Sequence, residues 1–252
     1  LKILAIDSSG LVASVAVLED DILLAEYTVN YKKTHSQTLL PMLDAIVQMI
    51  DLDLQSIDAI AISKGPGSFT GLRIGSATAK GLGLALNKPL IEVPTVDALA
   101  CNLFDAQGLI VPMMDARRAQ VYAGIYRFEH HKLKVVHEQY AVPVEDLIGQ
   151  INALGEPVIL LGDGVPPYLD RIHALLQVPY TVAPAHMNRQ RAGAVGALGE
   201  IYFAEGRTVS ADAHRPEYLR ASQAEREKIE KGVPVGEIEK NSEVLRPRDV
   251  TV

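Results

Sequence analysis

The sequence predicts an α/β protein of two related lobes, and two observations carry that expectation. Three strand-like segments followed by alternating helix and strand occur once before Gly108 and again after it. Hydrophobic residues fill 48% of the 252 positions, enough for one large core or two modest ones. The expected division is a first lobe over 1–108, a second over 109–232 and a polar tail over 233–252.

The elements follow in order. "LKILAIDSS" reads as a buried strand, and "LVASVAVLED" and "ILLAEYTVN" follow it as a meander that turns at Glu19-Asp20-Asp21. "THSQTLLPMLDAIVQMID" has helical spacing with Thr34 or Ser36 near its start, and Pro41 fits only if it lies in the first turn. "IDAIAISKGP" is a buried strand, Leu72 to Leu86 a second helix, and "PLIEV" a short strand. "TVDALACNLF" then opens a helix with Thr95 as N-cap.

After Gly108 the meander restarts, with turns at Asp115–Ala119 and Glu129–Lys132. "VEDLIGQINAL", "PPYLDRIHALL" and "QRAGAVGALGEIYFAEG" read as helices and "PVILLGDG" as a strand, whereas "ASQAEREKIEKG" is a charged helix or helix end.

Composition narrows the function classes. A net charge of −7 argues against a broad basic face that binds nucleic acid unaided. Cys101 is the single cysteine, so an internal disulfide is impossible and a reducing cytoplasm is expected. No run reaches membrane-span length, and the apolar start lacks the charged lead of a signal peptide.

Chemistry-bearing motifs are incomplete. In "KGPGSFTGLRIG", Gly65 and Gly67 fit a dinucleotide fingerprint but Thr70 takes the sixth place, and Leu72 follows Gly71 where a phosphate loop needs lysine. The turn serves either to hold an anion at a helix N-terminus or as a tight turn capped by Ser68 or Thr70. Asp7, after a buried strand, either approaches a metal-phosphate or closes a β-turn. Gly162 and Gly164 after another buried strand are the matching nucleotide-side candidates.

No two of the seven histidines lie four apart, which removes the simplest helical metal site. No G-x-S-x-G elbow is present, and Cys101 sits in an apolar run. Asp115, Arg117 and Arg118 form a polar cluster suited either to gripping an anion or to a solvated hairpin tip.

The two first-lobe helices are apolar on more than one side. Leu39, Leu43, Ile46, Val47 and Ile50 form one stripe, and Leu40, Met42 and Met49 lie off it. Gly75, Ala79 and Gly83 recur every four residues, with Leu72 on another face, and permit close approach of a second helix. One side of this pair is expected to meet a partner.

"ILAIDSS", "HSQTLLPML", "GPGSFTGLRIG", "DARRAQVYAG" and "PEYLR", in that order, resemble the TsaB (YeaZ) family. The resemblance implies the actin/Hsp70/sugar-kinase-like (ASKHA, ribonuclease H-like) fold and a part in making threonylcarbamoyladenosine in tRNA. It also implies the non-catalytic paralogue of the transferase TsaD, since the HxxxH-type metal motif of TsaD-like proteins is missing here.

Such a protein pairs with TsaD, and with itself when TsaD is absent. The face assigned to both contacts is Leu39, Leu43, Val47, Leu72, Gly75, Ala79 and Gly83. It works with the ATPase TsaE and meets tRNA only within the complex. It has no intrinsic cofactor, and any ATP or ADP sits at the partner junction. The rival expectation is an ATP-dependent phosphotransferase of the same fold, using Asp7 and the Gly162–Gly164 turn.

Overall fold

A computed structural model describes residues 1–220 and 249–251. The first sheet is β1 (Lys2–Asp7), β2 (Ala13–Glu19), β3 (Ile22–Val29), β4 (Ala59–Gly65) and β5 (Leu90–Pro94), in the order β3-β2-β1-β4-β5. The β1–β2–β3 meander is antiparallel, and β4 and β5 run parallel to β1. The second sheet repeats this plan with β6 (Leu109–Asp115), β7 (Gln120–Glu129), β8 (Lys132–Pro143), β9 (Val158–Leu161) and β10 (Tyr180–Val182). Its order is β10-β9-β6-β7-β8, with β11 (Asp249–Thr251) added antiparallel beside β8. The α/β expectation holds, with two sheets built on one strand order.

Alternation along the strands assigns their faces. Leu4, Ile6, Ile60 and Ile62 pack under α1 (His35–Met49) and α2 (Phe69–Leu86). Ile3, Ala5, Ala59 and Ala61 face inward, where α3 (Thr95–Cys101) and α6 (Ala192–Ala204) lie between the sheets. Leu109, Val111 and Met113 face outward beneath α4 (Val144–Leu154) and α5 (Leu169–Leu175). The inward alanines let α6 lie close, so that a Cβ at Gly199 would stand 2.8 Å from that of Ala61.

Several expectations need correction. The second lobe is not the whole of 109–232, because α6 packs on β1 and β2 and residues 209–217 return to the first lobe. Pro41 is the seventh residue of α1 rather than in its first turn. It withholds the N–H that the Gln37 carbonyl would take, and both residues are exposed, so water can serve there.

Thr95 does not cap α3: Pro94 holds the cap position, and the Val96 N–H instead donates to Gln139 Oε1 at 3.2 Å. Ser68 does cap α2, accepting from the Gly71 N–H, and the helix starts three residues earlier than its apolar spacing. Strand β10 was not anticipated. The charged segment 221–232 and all of the polar tail except Asp249–Thr251 and its pairing with β8 lie outside the described residues.

Candidate functional site

The ends of β1, β4, β6 and β9 open into a cleft of about 680 Å³. Ser9–Leu11, Lys33–His35, Gly67–Gly71, Asp115–Arg117, Asp163 and Tyr218–Arg220 line it. It lies outside the carboxyl ends of the parallel strands, the usual binding crevice of open α/β sheets.

Asp7 ends β1 beneath the cleft and is 1% exposed. Its Oδ1 accepts the Ser9 N–H at 2.8 Å and the Ser9 hydroxyl at 2.7 Å, which closes the β1–β2 turn. Burial pushes its carboxyl above the usual range, opposed by those two bonds. Asp7 therefore holds the turn and does not line the cleft. The turn in turn grips α2: the Ser68 N–H donates to Ser9 O at 2.6 Å and the Ser8 hydroxyl to Gly71 O at 2.8 Å. Gly67 is required because a Cβ there would overlap the Ser9 carbonyl.

His35 opens α1 and donates from Nε2 to Gly10 O at 2.9 Å, since a carbonyl can only accept. Its Nδ1 is buried and has no hydrogen-bond partner among the described residues.

On the opposite wall, Asp115 Oδ1 accepts the Arg117 N–H at 2.8 Å and the Tyr168 hydroxyl at 3.1 Å. Asp163 accepts the Asp115 N–H at 3.1 Å, and burial raises its carboxyl. Arg117, Arg118 and Ala119 take φ of 66°, 56° and 56°, three successive left-handed residues that cost about 1 kcal/mol each. Arg220 steadies that turn by donating to the Ala116 and Arg117 carbonyls. Gly162 and Gly164 do not line the cleft. They pack against the Met113 backbone, where a Cβ at Gly162 (φ 107°) would overlap the carbonyl.

The segment that ends at Arg220 is anchored by residues that sequence reading missed. Fully buried His214 bridges Ser76 Oγ on α2 and Glu92 Oε1 on β5, at 2.7 Å each. Burial works against the Glu92 charge, but His214 and Lys64 outweigh it and hold the carboxyl down at about 2. The Ser–His–Glu order is that of hydrolytic triads. Here Ser76 is 7% exposed and lies outside the cleft, so the chain of bonds acts as a latch. Next come Glu217 N–H to Lys64 O at 2.7 Å and the Tyr218 ring 4.8 Å from Phe69. The only sequence signal for this strap was the "PEYLR" match; a buried histidine in a polar segment carries no periodicity.

Most residues of the expected partner face are turned into the chain itself. Leu39, Leu43, Leu72 and Ala79 are at most 6% exposed and belong to the chain's own core. Gly75 approaches Ser8 and Ile62, and Gly83 approaches Leu90 and Ala211, while Val47 is half-buried. The close approach that the small residues permit is to the sheet. A second strip with the same spacing, Ala77, Gly81 and Ala85, faces out, flanked by Leu84 at 63% exposure. On α1, Leu40 and Met49 face out as the off-stripe reading implied, and Met42 is core.

Among the described residues no three His, Cys, Asp or Glu side chains gather as a metal site, and no helix is long and apolar enough to cross a membrane.

The family model for TsaD, tRNA N6-adenosine threonylcarbamoyltransferase, matches residues 23–228. The tRNA threonylcarbamoyladenosine biosynthesis protein TsaB of Bacillus subtilis is 34% identical over 232 residues, covering 91% of this chain and 99% of that protein. The chain belongs to the TsaB family. The Escherichia coli TsaB is 30% identical over 226 residues, 87% of this chain and 95% of its own. YeaZ of Pseudomonas aeruginosa superposes with a TM-score of 0.74 at 28% identity, covering 86% of this chain and 99% of that one. Another P. aeruginosa structure, described as similar to peptidase YEAZ, gives 0.75 over 87% and 99%. The TsaB likeness thus spans both lobes and the cleft.

Proposed function

We propose that this chain is a non-catalytic subunit in the formation of threonylcarbamoyladenosine in tRNA, pairing with a TsaD-type transferase and working with a TsaE-type ATPase. The observation that carries the pairing is the outer face of α2, where Ala77, Gly81 and Leu84 form small and apolar surface that no other described residue covers, while Leu40 and Met49 are exposed on α1. An apolar helical face that its own domain leaves uncovered favours a partner, and the flat Ala77–Gly81–Ala85 strip admits a helix at close range. The same face serves self-association when the transferase is absent. Any ATP or ADP belongs to the junction with the partner, and tRNA is met within the assembly.

The non-catalytic reading rests on the missing histidine pair and on how the polar side chains are engaged. Asp7 is bonded to Ser9 and buried, away from a phosphate in the cleft. An ATP-dependent phosphotransferase would need it there.

The test is reconstitution. Threonylcarbamoyladenosine, detected by mass spectrometry, is expected only when transferase, ATPase, ATP and the adenylate donor join this protein. Leu84→Arg should abolish co-elution with the transferase and lower product formation at least tenfold, while circular dichroism stays that of the parent. Product from this protein alone, or micromolar ATP binding by calorimetry, refutes the non-catalytic part. Unchanged pairing in Leu84→Arg refutes the assigned face.

A further inference from the structure

We infer that the strap, residues 212–220, is a clasp that fixes the width of the cleft by tying α2 on one wall to the Asp115–Ala119 turn on the other. The strap contains no helix or strand, so side-chain bonds set its path. Arg73, Ser76 and Lys80 stand at i, i+3 and i+7 along one flank of α2, and each of them bonds the strap. Lys80 Nζ reaches the Asp212 and His214 carbonyls at 3.2 and 3.3 Å, Ser76 Oγ meets His214 Nε2 at 2.7 Å, and Arg73 Nε donates to the Tyr218 hydroxyl at 3.3 Å. Between those points the strap crosses the end of β4. It lies so close there that a Cβ at Gly65 (φ 130°) would overlap the Glu217 carbonyl.

The other end belongs to the second sheet. Gln139 of β8 donates from Nε2 to Glu217 Oε2 at 3.0 Å and to Gly65 O at 3.2 Å, so one amide joins the strap to both sheets. Three residues on, the Arg220 guanidinium donates to the Ala116 and Arg117 carbonyls with charge-assisted bonds. That turn needs the support, because Arg117, Arg118 and Ala119 are all left-handed.

Clefts between lobes open and close about a few residues that absorb the movement. A segment bonded to both walls opposes such movement. The turn on one lobe thereby depends on a buried histidine seated on the other.

Hydrogen exchange on the full chain tests this at the Ala116 and Gln120 amides, which donate to the Gln120 and Arg117 carbonyls. Exchange there reads the local opening equilibrium. Arg220→Ala and His214→Asn should each speed both amides about tenfold. The double variant should be no faster than either single one, since an open clasp is the same whichever end is cut. The Ile151 amide, buried in α4 away from the strap, should keep its parent rate throughout. If His214→Asn does not fold by circular dichroism, Ser76→Ala releases the same end and the same readings apply to it. Parent rates at Ala116 and Gln120 in the α2-end variant overturn the inference. So does a double variant faster by about a hundredfold, the product of two independent effects. A rise at Ile151 in step with the turn overturns it too, because the whole fold has then loosened.

Discussion

Glu92→Gln tests the latch that holds the strap, and its size follows from the structure. The substitution keeps the shape of the side chain and removes the charge that His214 and Lys64 hold at 2.7 and 3.1 Å. The drop in the Glu92 carboxyl from 4.5 to about 2 corresponds to about 3 kcal/mol. Exposure of 21% of the side chain screens that to about 2 kcal/mol. A depressed carboxyl stabilises the fold above its unfolded value, and the contribution is lost as pH falls from 4.5 through about 2. Urea unfolding at a series of pH values should therefore find parent and variant about 2 kcal/mol apart at pH 6–7 and converging toward pH 2–3. An equal gap at pH 3 and pH 7 would mean that the latch acts by packing alone. No gap at pH 7 would sink the argument that these partners outweigh burial.

Two further substitutions test placement. Gly67→Ala should cost about 1–3 kcal/mol because its methyl meets the Ser9 carbonyl; Gly81→Ala, with nothing within 4 Å, should gain about 0.5–1 kcal/mol from helix propensity. Thermal melting separates the two, and equal effects would contradict the assigned faces of α2. Ala79→Arg is expected to unfold the chain, because Ala79 is 0% exposed against the sheet and an unpaired buried charge costs several kcal/mol. A folded variant that merely loses its partner would return Ala79 to the interface.

Much of the fold was legible because the signals were local. Val144–Leu154 is helical as its spacing implies, and the turns before β7 and β8 fall where polar residues interrupt apolar runs. What failed was the direction in which an element faces. α2 carries two small-residue strips with the same four-residue spacing, Gly75–Ala79–Gly83 and Ala77–Gly81–Ala85, and periodicity cannot say which one meets the sheet. The choice is made by Ser8 and Ile62, residues far away in sequence that need the space over Gly75. The cleft was half visible for a similar reason. Asp7, Gly162 and Gly164 mark the right strand ends, but side chains on neighbouring turns, His35, Asp163 and Tyr218, form its lining.

The same distant pairing explains why the lobes cannot be cut at Gly108. Each repeat sends its third helix between the sheets, where it packs on the first two strands of the other repeat: α3 on β6 and β7, and α6 on β1 and β2. The capping is reciprocal as well. The first turn of α3 is served by Gln139 of β8, which donates no sequence signal of its own, and the Asp97 carboxylate there takes the Tyr126 hydroxyl of β7 at 2.7 Å. The first turn of α6 is served by Ser14 of β2 at 2.9 Å and by Glu26 of β3 at 2.9 Å. Unsatisfied N–H groups at a buried helix start are costly, so either lobe alone would lack caps for its helix and cover for the inner face of its sheet. With the inner layers committed to joining the repeats, the surfaces left for other molecules are the cleft, the outer helices and the sheet edges. Only in the first lobe do the outer helices carry the second small-residue strip. On the proposed function, that difference between two copies of one plan would give the assembly a direction, with the first lobe the one that is joined.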